Sequence, residues 1–241
     1  MHTTTDHRPS NLARITGLAY LGIVATGIFA EFVARGSLVV DDDPIATATN
    51  IAAAPGRFAA GIGADVAMIA LDVTVAVGLY RLLRDVDRRL ALTATVLRLV
   101  QGAVIALGLV SLVSALGSAR DAVPGDGTVL AGPARAALDA IERHALIYDA
   151  GLIAFGLCCL VLGRILFEHR LVGRWLAVGM VATGVVYLLG SFAALFAPGL
   201  SAAIDPLYLI AIVVEPAFAI RLIVRGLAPA PTPVPPVAVA A

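Results

Sequence analysis

The sequence predicts an all-α fold, a polytopic membrane helical bundle of six transmembrane helices. Three observations carry that prediction. Of 241 residues, 60% are hydrophobic and 14% charged, against about 25% charged in soluble domains. Mean hydropathy is +0.95. The apolar residues also gather into six runs, each near the ~20 residues a helix needs to cross a hydrocarbon core of about 30 Å. Helices are the natural reading, because lipid offers backbone N–H and C=O groups no other partner.

Residues 1–11 are polar and read as a disordered N-terminus, ahead of a membrane domain over 12–226. The first span, 12–33, is too long for a signal-peptide core, and no small-x-small cleavage site precedes Glu31. Asp41-Asp42-Asp43-Pro44 supplies an N-cap and a first-turn proline, predicting a short surface helix over 45–54. The second span is 58–83, and a charged turn around Arg84 to Arg89 leads to the third, 90–116. The loop 117–143 holds Pro124-Gly125-Asp126-Gly127, and its second half, 133–143, reads as an amphipathic interfacial helix. The fourth span, 145–167, follows His144. The fifth, 175–196, begins with Trp175 at interface depth. The sixth, 207–224, is interrupted by Glu215-Pro216, and a Pro-rich disordered tail covers 227–241.

All 17 basic residues are arginines, and their distribution sets the expected orientation. With the N-terminus inside, eleven arginines fall on inner segments: Arg8, Arg14, Arg81, Arg84, Arg88, Arg89, Arg164, Arg170, Arg174, Arg221 and Arg225. Five fall outside: Arg35, Arg57, Arg120, Arg135 and Arg143. The positive-inside rule then puts both termini on the cytoplasmic side. One motif repeats, Gly22-Ile-Val-Ala-Thr-Gly27 against Gly179-Met-Val-Ala-Thr-Gly184, and reads as two small-residue packing faces.

With these spans laid out, the chain resembles the uncharacterised bacterial domain-of-unknown-function 4386 family. The resemblance rests on ARITGLAYLGIVATGIFAEF (13–32), DDDPIATATNI (41–51), GLYRLLRDVDRRLA (78–91), LRLVQGAVIA (97–106), GLIAFGLCCLVLGRILF (151–167) and PLYLIAIVVEPAFAIRLIVRG (206–226). It covers nearly the whole chain, with Glu215 at the family's acidic position. The fourth span departs from the family's Phe-rich start, which here is Ala154-Phe155. The resemblance implies a six-span membrane protein and no established activity.

Ionisable residues inside spans are the candidate functional groups, since a charge facing lipid costs several kcal/mol. Asp65 and Asp72 lie two helical turns apart and share one side of the second span. Asp72 sits about 15 Å and Arg98 about 12 Å from the inner ends of antiparallel neighbours, which predicts an intramembrane ion pair with Gln101 beside it. Glu31, Asp65, His144, Tyr148, Asp149 and Glu215 fall in the outer half and form a candidate binding set. A metal site of His144 with carboxylates is an open alternative; a multi-histidine zinc site is not, because His2 and His7 are in the N-terminal segment and His169 is on the inner side.

Formal net charge is zero, giving no basic surface for nucleic acid. Cys158 and Cys159 are adjacent in an apolar run and read as small core residues. No nucleophile elbow or phosphate-binding loop occurs, and no cofactor is implied. The bilayer is the one expected partner; any small-molecule or ionic ligand is unknown. The sequence thus predicts a polar cavity opening to the outer side, in a small-solute or ion/proton-coupled binder or carrier. The alternatives are a structural or partner-binding membrane subunit, or a membrane-embedded metal-dependent hydrolase.

Overall fold

The computed structural model describes residues 10–125 and 128–227. Most of the N-terminal segment, Asp126 and Gly127 of the Pro-Gly turn, and the tail from 228 onwards lie outside the described residues. Among the described residues every regular element is helical.

Helix α1 (Asn11–Ile28) starts where Ser10 Oγ accepts the Ala13 N–H at 3.2 Å. It runs on as a π-helical stretch, Phe29–Arg35. Asp43 caps α2 (Pro44–Ala53) by accepting the Ala46 N–H at 2.9 Å, the Asp-Pro start the sequence specifies. Helix α3 (Pro55–Leu83) follows directly. Asp87 accepts the Leu90 N–H at 2.9 Å and opens α4 (Arg88–Ala122). Then come α5 (Ala131–Glu168) and α6 (Arg174–Phe196). Short turns around α7 (Ser201–Ile204) lead into α8 (Leu209–Arg225), which contains Pro216. Among the described residues, six helical stretches are long and apolar enough to cross a membrane.

Two boundaries differ from expectation. The interfacial helix expected at 133–143 and the fourth span are one 38-residue helix, α5. Arg143 and His144 do not end it, because nothing there breaks a helix and the solvated turns carry their own ion pairs. Arg135 Nε lies 2.7 Å from Asp139 Oδ1, one turn away on an exposed face. The first span likewise extends through Arg35, so Arg35 is not a loop residue.

The spanning helices pack in chain order, α1 beside α3, then α4, α5, α6 and α8, with α8 closing back on α1. Two apolar clusters fill the interior. One runs through the half of the bundle nearer the termini, from Tyr20 and Leu79 to Leu162 and Phe218. The other seals the opposite, distal end, where Ile51 of α2 and Phe58 meet an alanine seam of α4 and α5, including Ala115, Ala119, Ala134 and Ala137. Large apolar side chains such as Leu107, Val110 and Val178 cover the outside, as lipid contact requires.

Small residues set how closely the helices approach. A Cβ on Gly184 would stand 2.6 Å from the Gly156 carbonyl oxygen, and one on Gly156 would stand 2.9 Å from that of Gly184. Backbone meets backbone there, so neither side can yield. Gly184→Val is expected to cost roughly 3 kcal/mol, the upper end of overpacking penalties, read from the SDS midpoint of unfolding in mixed micelles. An unchanged midpoint would mean that α5 and α6 do not touch at this crossing.

Candidate functional site

Polar groups form two layers in the bundle. The central layer takes one side chain from each spanning helix: Tyr20 (α1), Asp72 (α3), Arg98 (α4), Phe155 (α5), Tyr187 (α6) and Glu215 (α8). They lie at matching depth. Tyr20 is nine residues from Asn11, Glu215 ten from Arg225, and Phe155 thirteen from Glu168.

Arg98 is the hub, only 2% exposed. Its Nη2 lies 2.7 Å from Asp72 Oδ1. The guanidinium carbon sits 4.8 Å from the Tyr20 ring centroid and 4.9 Å from that of Phe155, so two aromatic faces share its charge. Glu215, 7% exposed, is held by two hydroxyls. Tyr20 donates to Oε2 at 3.1 Å and Tyr187 to Oε1 at 2.6 Å. The Phe155 and Tyr187 rings close the circuit at 5.0 Å between centroids. Pro216 also removes a helical donor, freeing the Ile212 carbonyl on the turn below.

Several buried donors and acceptors in this layer have no protein partner. They are Arg98 Nε and Nη1 and, one turn on, Gln101 Oε1. A void of about 10 Å³ beside Arg98, lined also by Ala94, Thr95, Cys158 and Leu162, has room for about one water and for no larger solute. Cys158 and Cys159 are free and buried, and the Cys158 thiol lies 3.3 Å from the Ala94 carbonyl.

The distal layer is centred on Arg35. Its Nη1 is 2.5 Å from Asp65 Oδ2, and its Nε and Nη2 donate to Glu31 Oε2 at 3.1 and 3.0 Å. Asp65 is 1% exposed, whereas the Glu31 side chain is 63% exposed. The π-helical stretch makes this possible, since its extra residue per turn rotates Arg35 inward. Gly61 admits it, because a Cβ there would come within 2.8 Å of the Ala34 methyl. His144 is buried near this layer, its Nδ1 without a hydrogen-bond partner and its ring 6.0 Å from that of Tyr148. Tyr148 and Asp149 are half-buried, within electrostatic reach of Glu31.

Sequence depth grouped Glu215 with Asp65 on the outer side; the structure puts it beside Arg98 and Asp72. The sixth span begins earlier, with helical turns from Pro198, so Glu215 stands deeper than a start at residue 207 implied. Glu31 and His144 do gather near Asp65. Sequence reasoning passed over Tyr20, Tyr187 and Arg35. A tyrosine in mid-span was the available signal, because a buried hydroxyl needs a partner. No group of three His, Cys, Asp or Glu side chains is placed to hold a metal ion among the described residues, so the hydrolase alternative has no metal site to build on there.

Comparison with known proteins agrees with this architecture. The profile of the family described as Domain of unknown function (DUF4386) matches residues 15–226. Neither a curated protein nor a solved structure matches the chain. Six apolar helices in a closed ring, matched by that profile from the first span to the last, place this chain in the DUF4386 family, as an integral, multi-pass membrane protein.

Proposed function

We propose that the chain is a proton- or cation-coupled binder or carrier of a small solute, with Glu215 as its exchangeable carboxylate. One observation carries this reading: the central layer holds two carboxylates, Asp72 and Glu215, and one guanidinium, Arg98. Asp72 takes the direct ion pair, which leaves Glu215 with neutral hydroxyl donors. An unbalanced negative charge inside a bundle is costly, so Glu215 holds a proton or a monovalent cation. Around it stand Tyr20 on α1, Asp72 on α3, Arg98 on α4 and Tyr187 on α6, with Tyr148 and Cys159 on α5 within electrostatic reach. The distal layer repeats the pattern, with Arg35 between Asp65 and the exposed Glu31, and serves as the hydrated entrance from the outer side.

The arginine distribution supports cytoplasmic termini, in what the family resemblance implies is a bacterial inner membrane. With Arg35 in a buried pair, Arg57, Arg120, Arg135 and Arg143 are the remaining outer charges, against eleven on inner segments. A structural or partner-binding role is the second reading, favoured by the closure of the central layer around a void of about 10 Å³.

Infrared difference spectra of the reconstituted chain separate the two. Lowering the pH from alkaline values, where Glu215 has given up its proton, is expected to produce a carboxylic-acid C=O band that Glu215→Gln abolishes and Glu31→Gln retains. A wild-type chain without that band would sink the coupled reading and leave the structural one.

A further inference from the structure

The end of the bundle that carries the termini holds a feature the charged layers do not use. Between the last turn of α5 and the start of α6 lies a groove of about 520 Å³, lined by Leu166, Phe167, Arg170, Val172, Arg174 and Ala177. Its composition is divided. Leu166, Val172 and Ala177 are buried apolar residues, whereas Phe167, Arg170 and Arg174 are exposed.

The charge there is uncompensated. The nearby carboxylate, Glu168, is taken by Arg164, with Nε 2.9 Å from Oε1. Arg170 and Arg174 have no carboxylate partner among the described residues. Arg174 instead lies over the Phe167 ring, 5.2 Å from its centroid, an arrangement that holds the guanidinium at the groove without neutralising it. Arg170 adopts a left-handed backbone, φ 52°, where glycine would be less strained. The rim therefore presents two cations to whatever enters.

The setting selects the anion. The groove sits at the end of two spanning helices, and Phe167 and the adjacent Trp175 expose aromatic surface, the side chains that favour headgroup depth. A free anion gains nothing from that apolar flank, whereas a phospholipid fits both halves, phosphate on the arginines and acyl chains along the aromatic side. Basic pockets between spanning helices recognise anionic headgroups in this way. We propose that this groove is a binding site for the headgroup of an anionic phospholipid.

The test uses the full chain in neutral detergent, titrated with phosphatidylglycerol or phosphatidylcholine and read by native mass spectrometry. Phosphatidylglycerol is expected to bind preferentially. At about 1 kcal/mol per interfacial arginine, Arg170→Gln or Arg174→Gln alone weakens it roughly fivefold and the pair together about 30-fold. The control pair Arg88→Gln with Arg89→Gln, on the neighbouring turn at the same end, leaves affinity unchanged. Melting without lipid should match wild type in every variant, and the lipid-dependent rise should vanish only in the Arg170/Arg174 pair. Equal binding of the two lipids, or wild-type affinity in the double variant, overturns the site. An equal loss in the control pair reduces it to general surface charge, and displacement of phosphatidylglycerol by stoichiometric inorganic phosphate makes it a free-anion site instead.

Discussion

Arg98→Gln is expected to destabilise the bundle by about 3–5 kcal/mol, the cost of breaking a buried ion pair from one side. The loss exceeds that of Asp72→Asn, for a reason visible in the central layer. Without Arg98, Asp72 and Glu215 are two carboxylates in an apolar interior with no cation between them, and the Tyr20 and Phe155 faces lose the charge they flank. Without Asp72, Arg98 keeps Glu215 as a counter-charge in the same layer, so the layer remains balanced. The double variant, Asp72→Asn with Arg98→Gln, is expected to recover about 2 kcal/mol relative to Arg98→Gln alone, because the stranded Asp72 carboxylate is gone. All three are read from unfolding midpoints in mixed SDS micelles. A double variant no better folded than either single one would show that the pair does not act as a unit.

The recovery also bears on what the pair is for. A buried salt bridge is weak evidence of net stabilisation, since desolvating two ions offsets most of their attraction. Asp72 joins α3 to α4, and the aromatic faces tie α4 to α1 and α5. The gain is therefore in register: one guanidinium fixes four helices at one depth, and that holds Glu215 where two tyrosines can reach it. This is a structural role and a preparatory one together.

How far the sequence reveals this depends on which physical rule each residue obeys. Helix number follows from hydrocarbon thickness, and the Asp43 cap from local hydrogen bonding, so those elements are legible one at a time. The meeting of Asp72 and Arg98 is legible because a tight turn makes α3 and α4 antiparallel neighbours, and depth then reduces to counting residues. Glu215 defeats the same counting. Its span starts in irregular turns around Pro198 and Pro206, where rise per residue is not that of an α-helix. The partnership of Tyr20 with Glu215 depends on α8 closing against α1, the longest-range contact in the ring, which no local pattern encodes. Arg35 is hidden for yet another reason. Beyond Val33 the chain reads as a polar loop entry, and a π-helical stretch leaves no composition signal that distinguishes it from an α-helix.

That π-helical stretch supports the second large effect. Arg35→Gln is expected to cost about 3–5 kcal/mol, because Asp65, 1% exposed, is left without its cation. Glu31→Gln removes a carboxylate from the same guanidinium, at 3.0 Å, yet should cost less than about 1 kcal/mol, since its side chain is 63% exposed and water replaces the lost partner. Distance alone would rank the two carboxylates nearly alike; burial separates them. Asp65→Asn added to Arg35→Gln should return part of the loss, because the stranded carboxylate is its cause. If Glu31→Gln proves as damaging as Arg35→Gln, Arg35 is not held at Asp65 and the distal layer is a solvated helix end.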